Sequence, residues 1–213
     1  CSSLWGGVAL RRVDAGASGH YRSARFACSQ SGYPLRSVQS VGKSADRETE
    51  TQQGGLHRID LTSGEPVIIQ PQAQEGDPYE RFNWDAPILV SPHNPARLYF
   101  ASYRVWKSES RGDDWEPISG DLTRNEERIE LPIMGRQQSW DNPWDVGAMS
   151  NYNSITSLSE SPVKEGVLFA GTDDGHIQIS QNGGQQWKQI PVTKLGLPNR
   201  SFVNDIKADL FDS

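Results

Sequence analysis

Two eight-residue stretches constrain this chain more than any other feature. Ser108–Trp115 reads S-E-S-R-G-D-D-W and Ser180–Trp187 reads S-Q-N-G-G-Q-Q-W. Each has Ser first, a small polar residue third, Gly fifth and Trp eighth. Each is followed, three positions after the Trp, by Ile (Ile118, Ile190). The echo extends on both sides. Pro87–Pro92 closes on Ser-Pro, His93–Ala96 reads as a turn, and Arg97–Ala101, Arg104–Lys107 and Trp115–Ser119 read as further strands. The second copy repeats this: Ile155–Pro162 closes on Ser-Pro, followed by strands at Val167–Gly171, His176–Ile179 and Trp187–Ile190. The Ser-Pro pairs (Ser91-Pro92 and Ser161-Pro162) and the box tryptophans (Trp115 and Trp187) recur at nearly the same interval. The second interval is slightly longer, and the surplus falls at Thr172–Gly175.

Four short antiparallel strands per repeat is the pattern of a β-propeller blade. Gly55–Leu61, a Thr62–Glu65 turn and Pro66–Gln70 supply the last two strands of an earlier unit, and Phe202–Ala208 opens a later one. The expectation is an all-β chain: a partial β-propeller of four-stranded antiparallel blades, two complete (about 83–122 and 151–193) and parts of two others (54–70 and 200–213). A propeller closes with about 4–8 blades. The expected partners therefore include further blades, and the segment reads as a fragment.

Residues 1–53 lack a sustained period of 2 or 3.6 and carry a charge of +3, against −9 for the remainder. They are expected to be disordered, poorly packed or artefactual, with Ala45–Gln53 a charged linker. Over the whole chain 20 Gly, 13 Pro and 7 Trp suit many turns around a few large aromatics. The net charge of −6 argues against nucleic acid as the partner. No run approaches 18 apolar residues, so no membrane span is expected, and no signal peptide is legible in this segment. Cys1 and Cys28 could form at most one disulfide. With His20, His57, His93 and His176 they make no metal-spaced set, and neither metal nor cofactor is expected.

The box residues suit a structural task. Gly112, Gly183 and Gly184 permit backbone angles that side chains oppose. Ser110 and Asn182 can bond nearby amides, and Trp115 and Trp187 bring apolar area to wedge against a neighbouring sheet. Ser-x-Asp-x-Gly-x-x-Trp resembles the Asp-box, or bacterial neuraminidase repeat, of sialidases, xyloglucanases and sortilin-type propellers, with Ser108, Gly112, Trp115, Ser180, Asn182, Gly184 and Trp187 as its matching positions. Ser110 and Asn182 stand where the aspartate would. The stretches 54–65, 82–100, 115–123 and 168–180 are similar to secreted bacterial proteins with sortilin-like propellers, often labelled glycosyl hydrolases. The resemblance covers about 54–213 and implies a secreted or periplasmic location. It also implies that ligands meet the face opposite the boxes.

That face receives Gln70–Asp85, Ser102–Arg104, Gly120–Asn153, Thr172–Gly175 and Pro191–Ser201. The longest loop holds Arg136, Trp140, Asp141, Asn142, Trp144 and Asp145, a set able to stack on a sugar ring and bond its hydroxyls. These are the candidate ligand-binding residues. Glycoside hydrolysis requires two carboxylates ~5–9.5 Å apart, for which Asp85, Asp141 and Asp173 are the candidates. Arg136, Arg104 and Tyr152 lack sialidase spacing. The expected function is a non-catalytic binding or scaffold module for a peptide or glycan. The alternative is a glycoside hydrolase resembling the xyloglucanases.

Overall fold

The computed structural model describes residues 25–28, 34–38, 46–142 and 151–212. They form three antiparallel sheets in chain order. The first contains β1 (Arg25–Cys28), β2 (Pro34–Val38), β3 (Asp46–Glu50), β4 (Leu56–Asp60) and β5 (Pro66–Ile68). The second contains β6 (Ile88–Val90), β7 (Leu98–Ala101), β8 (Val105–Ser108) and β9 (Glu116–Pro117). The third contains β10 (Ile155–Glu160), β11 (Leu168–Thr172), β12 (His176–Ser180) and β13 (Lys188–Pro191). In every sheet each strand pairs only with its sequence neighbours, so each is a meander. The strands β2, β6 and β10 adjoin across sheets. The fold is a β-propeller arc of successive blades, all-β as the repeat implies.

Period 2 explains how one strand serves two interfaces. Along β7, Leu98 and Phe100 enter the core shared with the first sheet, with Leu56, Ile69, Phe82 and Ile88. Tyr99 and Ala101 enter the core shared with the third, with Val105, Leu122, Ile155 and Leu168. All four are buried, which is why the strand reads as an unbroken apolar run.

The first sheet corrects the reading of residues 1–53. Asp46–Glu50 is a strand, not a linker, and pairs with β4 over its whole length. Glu48, Thr49 and Glu50 are buried, with Arg111 Nη2 3.7 Å from Glu48. The blade at 54–70 is therefore not two strands but the outer part of a five-stranded sheet. Its charged alternation resembles solvated chain because the cation that accompanies Glu48 is remote in sequence, on the first box (Arg111). Cys1 lies outside the described residues.

Candidate functional site

In a meander the turns alternate between two ends. The β8–β9 and β12–β13 turns lie at one end, and the β7–β8, β11–β12 and inter-sheet connections at the other.

At the first end the two boxes build the same turn. Ser108 Oγ accepts from Gly112 N (2.8 Å) and Ser110 N (3.2 Å); Ser180 Oγ accepts from Gly184 N (2.9 Å) and Asn182 N (3.4 Å). The third residue then caps the far side. Ser110 Oγ accepts from Asp114 N and Asn182 Oδ1 from Gln186 N, both at 2.9 Å. Gly112 and Gly184 have φ of 91° and 95°. A Cβ on either would strike the isoleucine of the preceding sheet, Ile69 at 2.6 Å or Ile118 at 2.7 Å. The tryptophan completes the seat. Trp115 Nε1 donates to Ile69 O (2.6 Å) and Trp187 Nε1 to Ile118 O (3.1 Å). The boxes thus fasten each sheet to the one before it.

At the opposite end the connections are cross-linked into a polar floor. Arg81, just before β6, donates to Asn153 O (3.1 Å) and to Asp121 (2.6 Å). Asn83 donates to Ser154 Oγ at 2.9 Å. Asn153, with φ 59°, holds both peptide groups of Glu126: its Nδ2 donates to Glu126 O (2.6 Å) and its Oδ1 accepts from Glu126 N (3.1 Å). Arg200 grips the Glu126 carboxylate through Nε (2.9 Å) and Nη2 (2.6 Å), holding it below the usual carboxylate range. Arg124 donates from its backbone N to Asp174 Oδ2, from Nε to Asp174 O, and from Nη2 to Asn199. A second knot lies at the β7–β8 turn. There Arg104 joins the buried Glu80 (Nε to Oε1, 2.8 Å) to Asp77 (Nη2 to Oδ2, 2.6 Å) and lies 4.4 Å over the Trp106 ring.

Asp173 sits 6% exposed between β11 and the start of β10. Its Oδ1 accepts from Ser154 N (3.0 Å) and its Oδ2 from Ser154 Oγ (2.9 Å). Burial outweighs these bonds and pushes the carboxyl up to about 6. Beside it, half-buried Tyr152 is also raised, by burial first and then by the charges of Asp174, Asp173 and Glu126. Arg128 lies over the Tyr152 ring at 4.9 Å.

The structure places the candidate residues apart in kind. Arg136, Trp140 and Asp141 are exposed; Trp140 is 79% exposed. Their turn is braced from behind: Gln138 Nε2 donates to Arg136 O (2.9 Å), and Asn142 Nδ2 donates to Gln138 Oε1 (2.7 Å). Asp85 is exposed after Asn83, whose Oδ1 accepts its N–H. Asp173 alone among the three catalytic candidates is buried. Trp144 and Asp145 lie outside the described residues. Sequence reasoning missed most of the floor: Arg81, Arg124, Glu126, Asn153, Ser154 and Arg200. A signal was present, because the aromatic-Asn pairs Phe82-Asn83 and Tyr152-Asn153 recur at the same interval as the Ser-Pro pairs.

No family model matches the chain, and no curated protein does. Solved structures with a similar backbone include an ancestral GH74 enzyme, 13% identical over 73% of this chain with a TM-score of 0.45. The GH74 enzyme of Niastella koreensis is 18% identical over 71% of this chain, with a TM-score of 0.41. The Pan2 WD40 domain of Neurospora crassa is 13% identical over 76%, with a TM-score of 0.29. This chain covers 18% and 20% of the two GH74 enzymes and 54% of the WD40 domain. No residue role is carried over from them.

Proposed function

We propose that this chain supplies blades of a β-propeller of Asp-box type that binds a neutral, extended glycan across its loop-bearing face. One observation carries the reading. Two successive inter-sheet connections each leave an aromatic side chain in solvent, Tyr79 (75% exposed) and Trp140 (79%), and so does Phe202 (54%), beyond the last strand of the third sheet. An exposed ring offers a flat apolar face to the C–H face of a sugar, and a row of them suits a polymer better than a single residue. At the same end of the sheets the floor arginines Arg81, Arg104 and Arg200 already pair with Asp121, Asp77, Glu80 and Glu126. A charged ligand would find its counter-charges taken, whereas hydroxyls can share the same donors and acceptors. The sortilin-like resemblance and a secreted or periplasmic setting accord with this role. A peptide is the ligand it disfavours.

The test is retention of the chain on soluble neutral β-glucans in affinity electrophoresis, repeated with Trp140→Ala. Retention weakened at least about tenfold, equivalent to ~1.4 kcal/mol, is the expected result. Equal retention of the two proteins removes Trp140 from the site, and no retention on any glycan refutes the reading.

Glycoside hydrolysis is the second reading, favoured by Asp173. A buried carboxyl with a pKa of about 6 is suited to general-acid work near neutrality. Its hydrogen bonds, however, go to Ser154, inside the fold. Reducing-sugar release that Asp173→Asn abolishes while glycan retention persists would establish this reading over simple binding.

A further inference from the structure

Asn182 is one of nine asparagines and the only one followed by glycine. The pairing has a chemical consequence. The carboxamide carbon of an asparagine can be attacked by the backbone nitrogen of the next residue. A glycine nitrogen is the least hindered, because no Cβ crowds it.

The second box turn arranges both partners of that attack. The electrophile is Asn182 Cγ. Its Oδ1 accepts from Gln186 N (2.9 Å) and from Ser180 Oγ (3.1 Å). Two donors on one carbonyl oxygen favour the oxyanion that forms when a nucleophile adds to its carbon. Asn182 is exposed, and a Cβ on Gly183 would meet nothing within 4 Å, so water reaches this peptide. The nucleophile is held back. Gly183 N donates to Gly166 O, in the β10–β11 turn, at 2.9 Å. Gly166 lies so close that a Cβ on it would stand 3.2 Å from that nitrogen. A bonded amide exchanges its proton only when the bond opens.

The first box separates this gate from the chemistry. Arg111 N donates to Ala96 O (3.0 Å) at the same place in the turn, and Arg111 and Gly183 have φ of 61° and 68°. The bond to the neighbouring hairpin is therefore part of both boxes. The first box has Ser110 before Arg111, with no carboxamide to attack.

We propose that Asn182-Gly183 is a self-modification site of this chain and that the Gly166 carbonyl governs its rate. When the turn opens, hydroxide takes the Gly183 N–H proton and the nitrogen adds to Asn182 Cγ. The Cγ–Nδ2 bond breaks, and the amide leaves as ammonia with a proton from water. Water then opens the five-membered imide on either side of its nitrogen. Cleavage at Cγ leaves aspartate, whose carboxylate can take the same two hydrogen bonds. Cleavage at the main-chain carbonyl leaves isoaspartate. The chain then runs through the former side chain, the Gln186 bond is lost and the seat of Trp187 loosens. The modification is independent of what the loop face binds.

The test is peptide mapping by mass spectrometry of the full chain held at mildly alkaline pH, folded and in urea. In urea Asn182 converts to the acid before any other asparagine. In the folded chain it converts at least about tenfold more slowly, at a rate that follows exchange of the Gly183 amide proton. Gly183→Arg copies the first box, where Arg111 already takes this φ. In urea it slows conversion of Asn182 at least about tenfold, because a Cβ now crowds the nitrogen. Equal rates in the folded and unfolded chain would overturn the gate. Conversion of another asparagine ahead of Asn182 in urea, or no slowing in Gly183→Arg, would overturn the site. The Gly183→Arg comparison is made on unfolded chains, so it decides whether or not that variant folds.

Discussion

The two ends of these sheets follow opposite rules. At the box end the sequences differ, S-E-S-R-G-D-D-W against S-Q-N-G-G-Q-Q-W, yet the hydrogen bonds to the first serine match. The glycine amide lies at 2.8 Å in one turn and 2.9 Å in the other, and the third-residue amide at 3.2 Å and 3.4 Å. At the loop end the geometry itself varies. The connection from β9 to β10 is several times longer than the one from β13 to Phe202, and the two are bonded to each other, Arg124 to Asn199 and Arg200 to Glu126. The difference separates what a repeat must keep from what it is free to vary. The box end must deliver a tryptophan and a bare Cα to the preceding sheet. The loop end need only close its polar groups, and whatever length remains can reach a ligand.

That contrast can be broken, and the largest effect should come from the box end. Trp187→Ala removes a ring packed between two sheets and the bond to Ile118 O. It should cost ~3–5 kcal/mol, the range for large-to-small core changes. Chemical denaturation measures this, and a loss under about 1 kcal/mol would mean that the boxes do not fasten the sheets.

Next in size is Asp173, where the loop end enters the core. Its pKa of about 6 in the fold lies above the ordinary 3.8. Its ionisation therefore opposes folding: its contribution is fully favourable below about pH 4 and is lost as pH rises through about 6. The span is on the order of 3 kcal/mol. Asp173→Asn cannot ionise, so its stability relative to the parent should climb as pH rises from about 4 through about 6. A flat difference in urea midpoints would show that the carboxylate is not the buried group described.

Ser180→Ala comes third. It strips the acceptor from Gly184 N and Asn182 N in a buried turn, for about 1–3 kcal/mol. Ser108→Ala should cost a similar amount if the two turns are equivalent, and unequal losses would sharpen how far the repeat departs from symmetry. Trp140→Ala should be the smallest. Its exposed ring predicts a stability change within about 0.5 kcal/mol despite the loss in glycan retention. A Trp140 variant as damaged as the Trp187 variant would place that ring in the core instead.

The fold was legible because its decisive residues act locally. Ser108 reaches Gly112 and Ser110 reaches Asp114, each four positions along. Period-2 alternation then marks the strands between boxes. The first sheet is only half legible for the converse reason. Asp46–Glu50 looks like a solvated linker until β4 lies beside it and Arg111 approaches from the next blade. In the candidate site the exposed residues Trp140 and Asp141 stood out by composition. The floor did not, since Arg81 meets Asn153 across 72 positions and Arg124 meets Asn199 across 75.

The sequence by itself determined the repeat, the turn that carries it and the order of the strands. Each of these depends on bonds within a few residues or on a two-residue period. Only the tertiary structure decided which sheet each tryptophan grips, that Asp173 is buried against Ser154 while Asp85 stays in water, and that the floor arginines are already paired. Burial and pairing are properties of surfaces brought together from distant parts of the chain, and no local pattern carries them.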